Sequence, residues 1–186
     1  MKSGAGRWLL ASILLLAGCQ NNRPPEMTQL DPVLAGEIRA LGAKNWIVIA
    51  DQSFPLHARR GVRTLLVNKE IPEVLSGVLN VIDSQQHVDP LIYRAREASI
   101  VENDTAPGYD PYRRQITAAL QGRRISDFKY RHLSVMLEDD SKSFAVLVIK
   151  TTTALPYSSI FIELDNGYWD QRSEEELRAR IESNSI

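Results

Sequence analysis

Two stretches of this sequence carry side chains able to do chemistry. The first is Asp51, which ends the apolar run 46–50 and precedes Ser53 and Pro55. The second is the segment 150–157, Lys-Thr-Thr-Thr-Ala-Leu-Pro-Tyr, a run of hydroxyls between two apolar runs. A carboxylate and a few hydroxyls are the polar groups that orient a small molecule in a pocket. Each also has a structural reading: Asp51 as the cap of a turn, Tyr157 as a core ring with a satisfied hydroxyl. The three histidines, His57, His87 and His132, match no metal-ligand spacing, so no metal site is expected. His57 shares the loop opened by Asp51, where it reads either as a second proton carrier or as an exposed loop side chain. Trp46 and Trp169 read as packing residues, with the turn Asn166-Gly167 beside the second.

The only cysteine, Cys19, belongs to a different signal. Lys2 and Arg7 give a positive start, residues 8–17 an apolar core, and Leu16-Ala17-Gly18 small residues just before Cys19. An apolar core of roughly ten residues is half the ~20 needed to span a bilayer. Leu-Ala-Gly-Cys resembles a lipobox, which implies a lipoprotein signal peptide over 1–18 and a lipid, palmitate among its chains, on Cys19. Residues 19–29 then form the lipidated end and a polar tether with two prolines, reaching ~30 Å if extended. Gln20 after the cysteine, rather than Asp, resembles the signal for the outer membrane of a bacterial cell envelope, with the domain facing the periplasm. With one cysteine, no disulfide framework is implied.

Elements that would position Asp51 and the hydroxyl segment follow from the periodicities. Asp31-Pro32 reads as N-cap and first turn of a helix through Leu34, Ile38 and Leu41, with Gly42 as its C-cap. Residues 46–50 read as a strand buried on both faces, and 64–67 as a second such run. Ile71, Val74, Leu75, Val78, Leu79 and Ile82, with Pro72 in the first turn, give the clearest amphipathic helix. A strand over 89–93 and a loop over 104–110 follow. Asp110-Pro111 caps a helix carrying Ile116, Ala119 and Leu120, with Gly122 as the stop. Residues 125–130 are a weak strand, 144–149 and 159–164 strong ones, and Ser173 with Glu176 a capping box for a last helix. Alternating elements make an α/β domain over 30–186, whose small-molecule sites lie outside the carboxyl ends of the strands. Asp51 and 150–159 both fall there.

The chain has 22 Lys and Arg against 23 Asp and Glu, and removing residues 1–18 leaves a formal charge near −3. No segment concentrates basic side chains as a phosphate-tracking surface does, so no nucleic acid is expected.

Leu41-Gly-Ala-Lys-Asn-Trp-Ile-Val-Ile-Ala-Asp51, continued by Gln-Ser-Phe-Pro55, is similar to the opening of the D-ribose pyranase and L-fucose mutarotase (RbsD/FucU) family. Phe144-Ala-Val-Leu-Val-Ile-Lys-Thr-Thr-Thr-Ala-Leu-Pro-Tyr-Ser-Ser-Ile-Phe-Ile162 aligns with that family's strand, Arg-Thr-Gly-Glu turn and Pro-Tyr-Ala-Asn strand start. The resemblance implies an RbsD-like sandwich with a largely parallel central sheet flanked by helices. It also implies assembly as a homo-oligomer with the site between neighbours, a free monosaccharide as partner, and ring-form interconversion without cofactor. In that chemistry a base takes the anomeric hydroxyl proton while an acid protonates the ring oxygen.

Carried over by position, the resemblance makes Asp51, His132 and Tyr157 the candidate catalytic residues. Lys150, Thr153 and Ser159 become the candidate substrate contacts. Placing His132 on the family's second histidine requires a gap. Ala43 stands where the family has its first histidine, and alanine cannot transfer a proton. Two readings therefore stand: a tethered sugar mutarotase or pyranase, and a sugar-binding or structural lipoprotein that has lost the chemistry.

Overall fold

The computed structural model describes residues 30–184. The expected signal peptide over 1–18, Cys19 and the expected tether lie outside the described residues. Six strands, β1 (Trp46–Ala50), β2 (Val62–Leu66), β3 (Val88–Ala95), β4 (Ile125–Phe128), β5 (Val146–Lys150) and β6 (Ile160–Asn166), form one sheet in the order β2-β5-β1-β6-β3-β4. β1 and β2 each run parallel to β5, and β3 parallel to β4. β6 alone runs against both its neighbours, β1 and β3. The expected α/β architecture with a largely parallel sheet is therefore present, with one reversed strand near its middle. That reversal has a consequence for the site. The start of β6 falls on the same sheet edge as the ends of the other five strands.

The α-helices among the described residues are α1 (Pro32–Arg39), α2 (Ile71–Asp83), α3 (Tyr109–Leu120), α4 (Tyr130–Asp140) and α5 (Gln171–Ser183). Side chains alternate across a strand, and β1 distributes its five accordingly. Ile47 and Ile49 enter the core made with α1, α2 and α3, while Trp46, Val48 and Ala50 enter the one made with α4. All five are fully buried, as the continuous apolar run predicts. Each aliphatic side chain so buried is worth roughly 1.5–3 kcal/mol, which fixes β1, and hence the position of Asp51, firmly. Trp46 also satisfies its indole N–H on Asp140 Oδ2 at 2.8 Å.

Several local expectations are corrected. The second apolar run is not doubly buried: β2 is an edge strand with one neighbour, and Leu66 is 78% exposed. An apolar run reports pairing propensity but not position in the sheet. α1 is capped by Asp31 as expected, its carboxylate accepting from Val33 N, but it ends at Arg39 with Ala40 as C-cap, and Gly42 N instead donates to Asn45 Oδ1. α3 starts one residue before Asp110, behind Gly108 at φ 98°. The last helix is capped by Asp170, which accepts from Ser173 N, so Ser173 is inside the first turn. Helix α4 carries only Leu133 and Leu137 as buried residues, too sparse a stripe to have marked it. Gly167, in the turn after β6, is required for packing: a Cβ there would lie 2.8 Å from the Gln86 carbonyl oxygen.

Among the described residues no helix is long and apolar enough to cross a membrane.

Candidate functional site

Asp51 follows β1 directly and is held by neutral donors. Its Oδ1 accepts from Ser53 N at 2.8 Å and Ser53 Oγ at 2.6 Å, an Asx-type turn that fits the structural reading. Its Oδ2 accepts from Ser159 Oγ at 2.7 Å, and Asp51 N donates back to the same Oγ at 3.0 Å. Ser159 is 2% exposed and sits just before β6, so the reversed strand delivers it to the end of β1. No Lys or Arg pairs with Asp51 among the described ion pairs. A hollow of about 360 Å³ opens beside it, lined by Asp51, Gln52, Ser53, Ala154, Leu155 and Pro156.

The hydroxyl segment serves mainly to tie this edge together. Thr151 Oγ1 donates to the Ala50 carbonyl at 2.8 Å, and Thr152 Oγ1 to the Lys69 carbonyl at 3.1 Å. Thr153 Oγ1 accepts from Ile71 N at 2.9 Å, and Gln52 N donates to the Thr153 carbonyl at 2.8 Å. The Thr153 contact is a remote cap for α2, whose own N-cap Glu70 makes no side-chain bond. Thr153 is buried and committed to the helix. Lys150 ends β5 opposite Ala50, and the alternation Val146, Val148, Lys150 carries its side chain to the α4 face.

Tyr157 is 44% exposed and has φ 55°, left-handed for a non-glycine residue. Its flanking carbonyls are both taken by phenols of α3. Tyr109 Oη donates to the Pro156 carbonyl at 3.0 Å and Tyr112 Oη to the Ser158 carbonyl. Burial pushes the Tyr112 phenol far up, and raises Tyr109 against the opposing pull of Arg113 and Arg94, so both stay donors. The Tyr157 ring meets Tyr130, at the start of α4, edge-on at 5.8 Å.

His132 lies in the first turn of α4 with its ring edge-on to Phe128 at 5.2 Å, exposed. The α4 side chain that the structure brings to Tyr157 is thus Tyr130. His57 lies 5.8 Å from the Phe54 ring in a second hollow of about 330 Å³ between the 54–62 segment and α4. His87 contacts the Leu41 carbonyl at 3.2 Å. Ala43 precedes β1 whereas Asp51 follows it, so five strand residues, ~16 Å at ~3.3 Å each, separate them. Among the described residues no group of His, Cys, Asp or Glu is placed to hold a metal ion.

Ser53, Tyr109, Tyr112 and Tyr130 were not legible as site residues. For Tyr109 and Tyr112 a signal existed: with Ile116 and Ala119 they continue the buried stripe of α3 at helical spacing.

The sequence matches the RbsD / FucU transport protein family over residues 26–165. Among solved structures it is similar to RbsD of Bacillus subtilis complexed with D-ribose, at 19% identity over 73% of this chain and 93% of that one, with a TM-score of 0.50. FucU of Bifidobacterium longum is comparable, at 17% identity over 73% of this chain and 95% of that one, with a TM-score of 0.51. These likenesses concern the fold. No curated protein matches the chain.

Proposed function

This chain belongs to the RbsD / FucU transport protein family, and from that premise we propose that it binds a free monosaccharide at the sheet edge marked by Asp51. The observation that carries the reading is the set of bonds on the carboxylate. Three neutral donors orient it: two on Oδ1 and one on Oδ2. A carboxylate has about four lone-pair sites, so Oδ2 keeps one for a sugar hydroxyl, in a hollow sized for a small molecule. Tyr157, the residue after the 154–156 turn, is 44% exposed and meets the Tyr130 ring edge-on, and its ring would take the apolar face of a sugar.

Interconversion of ring forms is the second reading, favoured by Asp51 and Tyr157 as a carboxylate and phenol beside one turn. Proton transfer by a positioned side chain contributes typically 10²–10⁴-fold, and position 43 supplies none in this chain. Sugar titration followed by NMR, with saturation exchange between anomers, separates the readings using D-ribose and a panel of pentoses and hexoses. Binding without accelerated exchange establishes the binding protein. Acceleration that vanishes in Asp51→Asn establishes the enzyme. Absence of both overturns the site.

We further propose that the domain is exported, lipid-anchored through Cys19 on the periplasmic side of the outer membrane, and assembled as a homo-oligomer. The Leu-Ala-Gly-Cys motif and Gln20 support the anchor. Cys19→Ser should move the protein from the membrane to the soluble fraction; unchanged membrane association would reject the lipid.

A further inference from the structure

Tyr157 is the one non-glycine residue of the 150–159 loop held at positive φ, a conformation that costs of order 1–3 kcal/mol and persists only when its surroundings over-determine it. Those surroundings are explicit. The carbonyl before Tyr157 accepts from Tyr109 Oη and the carbonyl after it from Tyr112 Oη, while Ser158 Oγ donates to the Leu155 carbonyl at 2.7 Å. The two phenols are rigid in turn. Their rings meet edge-to-face at 5.5 Å, and both residues are buried. The Arg113 guanidinium lies over the Tyr109 ring at 4.7 Å and is itself tied to the Asp110 carboxylate at 2.9 Å and to the Ala98 and Val101 carbonyls. Asn103 Oδ1 accepts from Gly108 N and Asp110 N, fixing the start of α3. Beyond the clamp, the residue after Ser158 is Ser159, the donor to Asp51.

We propose that Tyr109 and Tyr112 are positioning residues of the sugar site. By gripping the two carbonyls around Tyr157 they hold its ring against Tyr130, and through the Ser158-Ser159 peptide they set the hydroxyl that orients Asp51. The proposal rests on the reading of this edge as a monosaccharide site. It adds that α3, which offers no side chain to the hollow beside Asp51, determines whether the site is formed. Neither phenol touches the ligand; each acts through the loop backbone.

The test compares wild type with Tyr109→Phe and Tyr112→Phe, each keeping its ring and losing only the hydroxyl. The readouts are the Tyr157 Cα and Cβ chemical shifts, which report its backbone conformation, and the affinity for D-ribose and the pentose and hexose panel. Losing one such hydrogen bond releases part of the loop from its binding-competent state, and apparent affinity falls by the competent fraction. Each folded variant should bind about fivefold more weakly, with Tyr157 shifts moving away from left-handed values. Because Tyr112→Phe leaves a buried carbonyl unpaired and stands to unfold the domain, Tyr109→Phe carries the test by itself if that variant melts. Folded variants that lose stability while keeping wild-type Tyr157 shifts and wild-type affinity overturn the clamp and leave the sugar site standing. A wild type that binds no sugar overturns the site reading and the positioning role together.

Discussion

Replacing Ser159 with alanine removes one oxygen and two hydrogen bonds, and the structure sets what that should cost. The hydroxyl donates to Asp51 Oδ2 at 2.7 Å and accepts from Asp51 N at 3.0 Å, and it is 2% exposed. A hydrogen bond to a charged group contributes ~1.5–3 kcal/mol net, and an orphaned N–H adds ~1 kcal/mol or more when water cannot reach it. Asp51 is half-buried at an open hollow, so water replaces part of the first loss. The sum is about 2–3 kcal/mol, a fall of ~5–10 °C in Tm for a domain of this size. Denaturant unfolding followed by the fluorescence of buried Trp46 measures it directly. A double-mutant cycle with Asp51→Ala should return a coupling of about 1–2 kcal/mol. Affinity for D-ribose should fall about tenfold, the equivalent of ~1.4 kcal/mol spent re-orienting the freed carboxylate. A Ser159→Ala protein within ~0.5 kcal/mol of wild type, or a cycle that is additive, would refute the claim that Ser159 holds Asp51.

Thr153→Val should cost about 1–2 kcal/mol, the loss of the remote cap on Ile71 N, and leave sugar affinity within about twofold; weakened binding at full stability would return Thr153 to the ligand. Burial, with Glu163 beside it, pushes the Tyr93 phenol up to about 12 from an ordinary 10.0. Between those values the unfolded chain has lost this proton and the native one has kept it, so stability present below pH 10 falls as pH rises to about 12. Tyr93→Phe should flatten that fall, as read by denaturant midpoints across the range, and an unchanged slope would reject the assignment. Ala43→His should accelerate D-ribose anomer exchange only in assembled protein, with a rate per chain that rises with concentration. Acceleration that survives dilution to the monomer would contradict the separation of position 43 from Asp51 along β1.

What could be read from the sequence followed from how locally each feature is encoded. β1, α2, β5 and β6 stand where uninterrupted or strictly periodic apolar residues place them. Asp51 could be found because it ends such a run. Helix α4 has no such stripe, since only Leu133 and Leu137 are buried along it, and its first residue, Tyr130, falls at the end of the weak strand expected over 125–130. His132 was singled out by the resemblance alone, and nothing local pointed to Tyr130. The threonines of the 151–153 segment have the composition of a ligand loop, but their partners are backbone groups at Ala50, Lys69 and Ile71, residues ~80–100 positions away. No local pattern announces such contacts. The left-handed Tyr157 was equally hidden, since a tyrosine there has no turn signature and the phenols bonded to its flanking carbonyls lie on α3, ~46 residues away.

The geometry of β1 bears on what the loss at position 43 means. Ala43 and Asp51 bracket a strand with all five residues fully buried, so neither end can reach the other within one chain. A histidine at 43 could meet Asp51 only across two copies, as the proposed homo-oligomer would allow. If the proposed assembly forms, alanine at 43 would leave the in-chain half of the site intact: Asp51 held by Ser53 and Ser159, Tyr157 flanked by the carbonyls that Tyr109 and Tyr112 bind. Asp51 and its serines would orient a sugar hydroxyl whether or not a proton carrier stands opposite. Binding and turnover should consequently separate in this chain, with affinity set by residues 51–53 and 157–159 of one copy and rate set by position 43 of the next. Ser159→Ala in an Ala43→His background should lower affinity about as much as it does alone, while the gain in exchange rate at saturating sugar persists in part. If Ser159→Ala instead abolishes the gain without altering affinity, the two halves of the site do not divide this way.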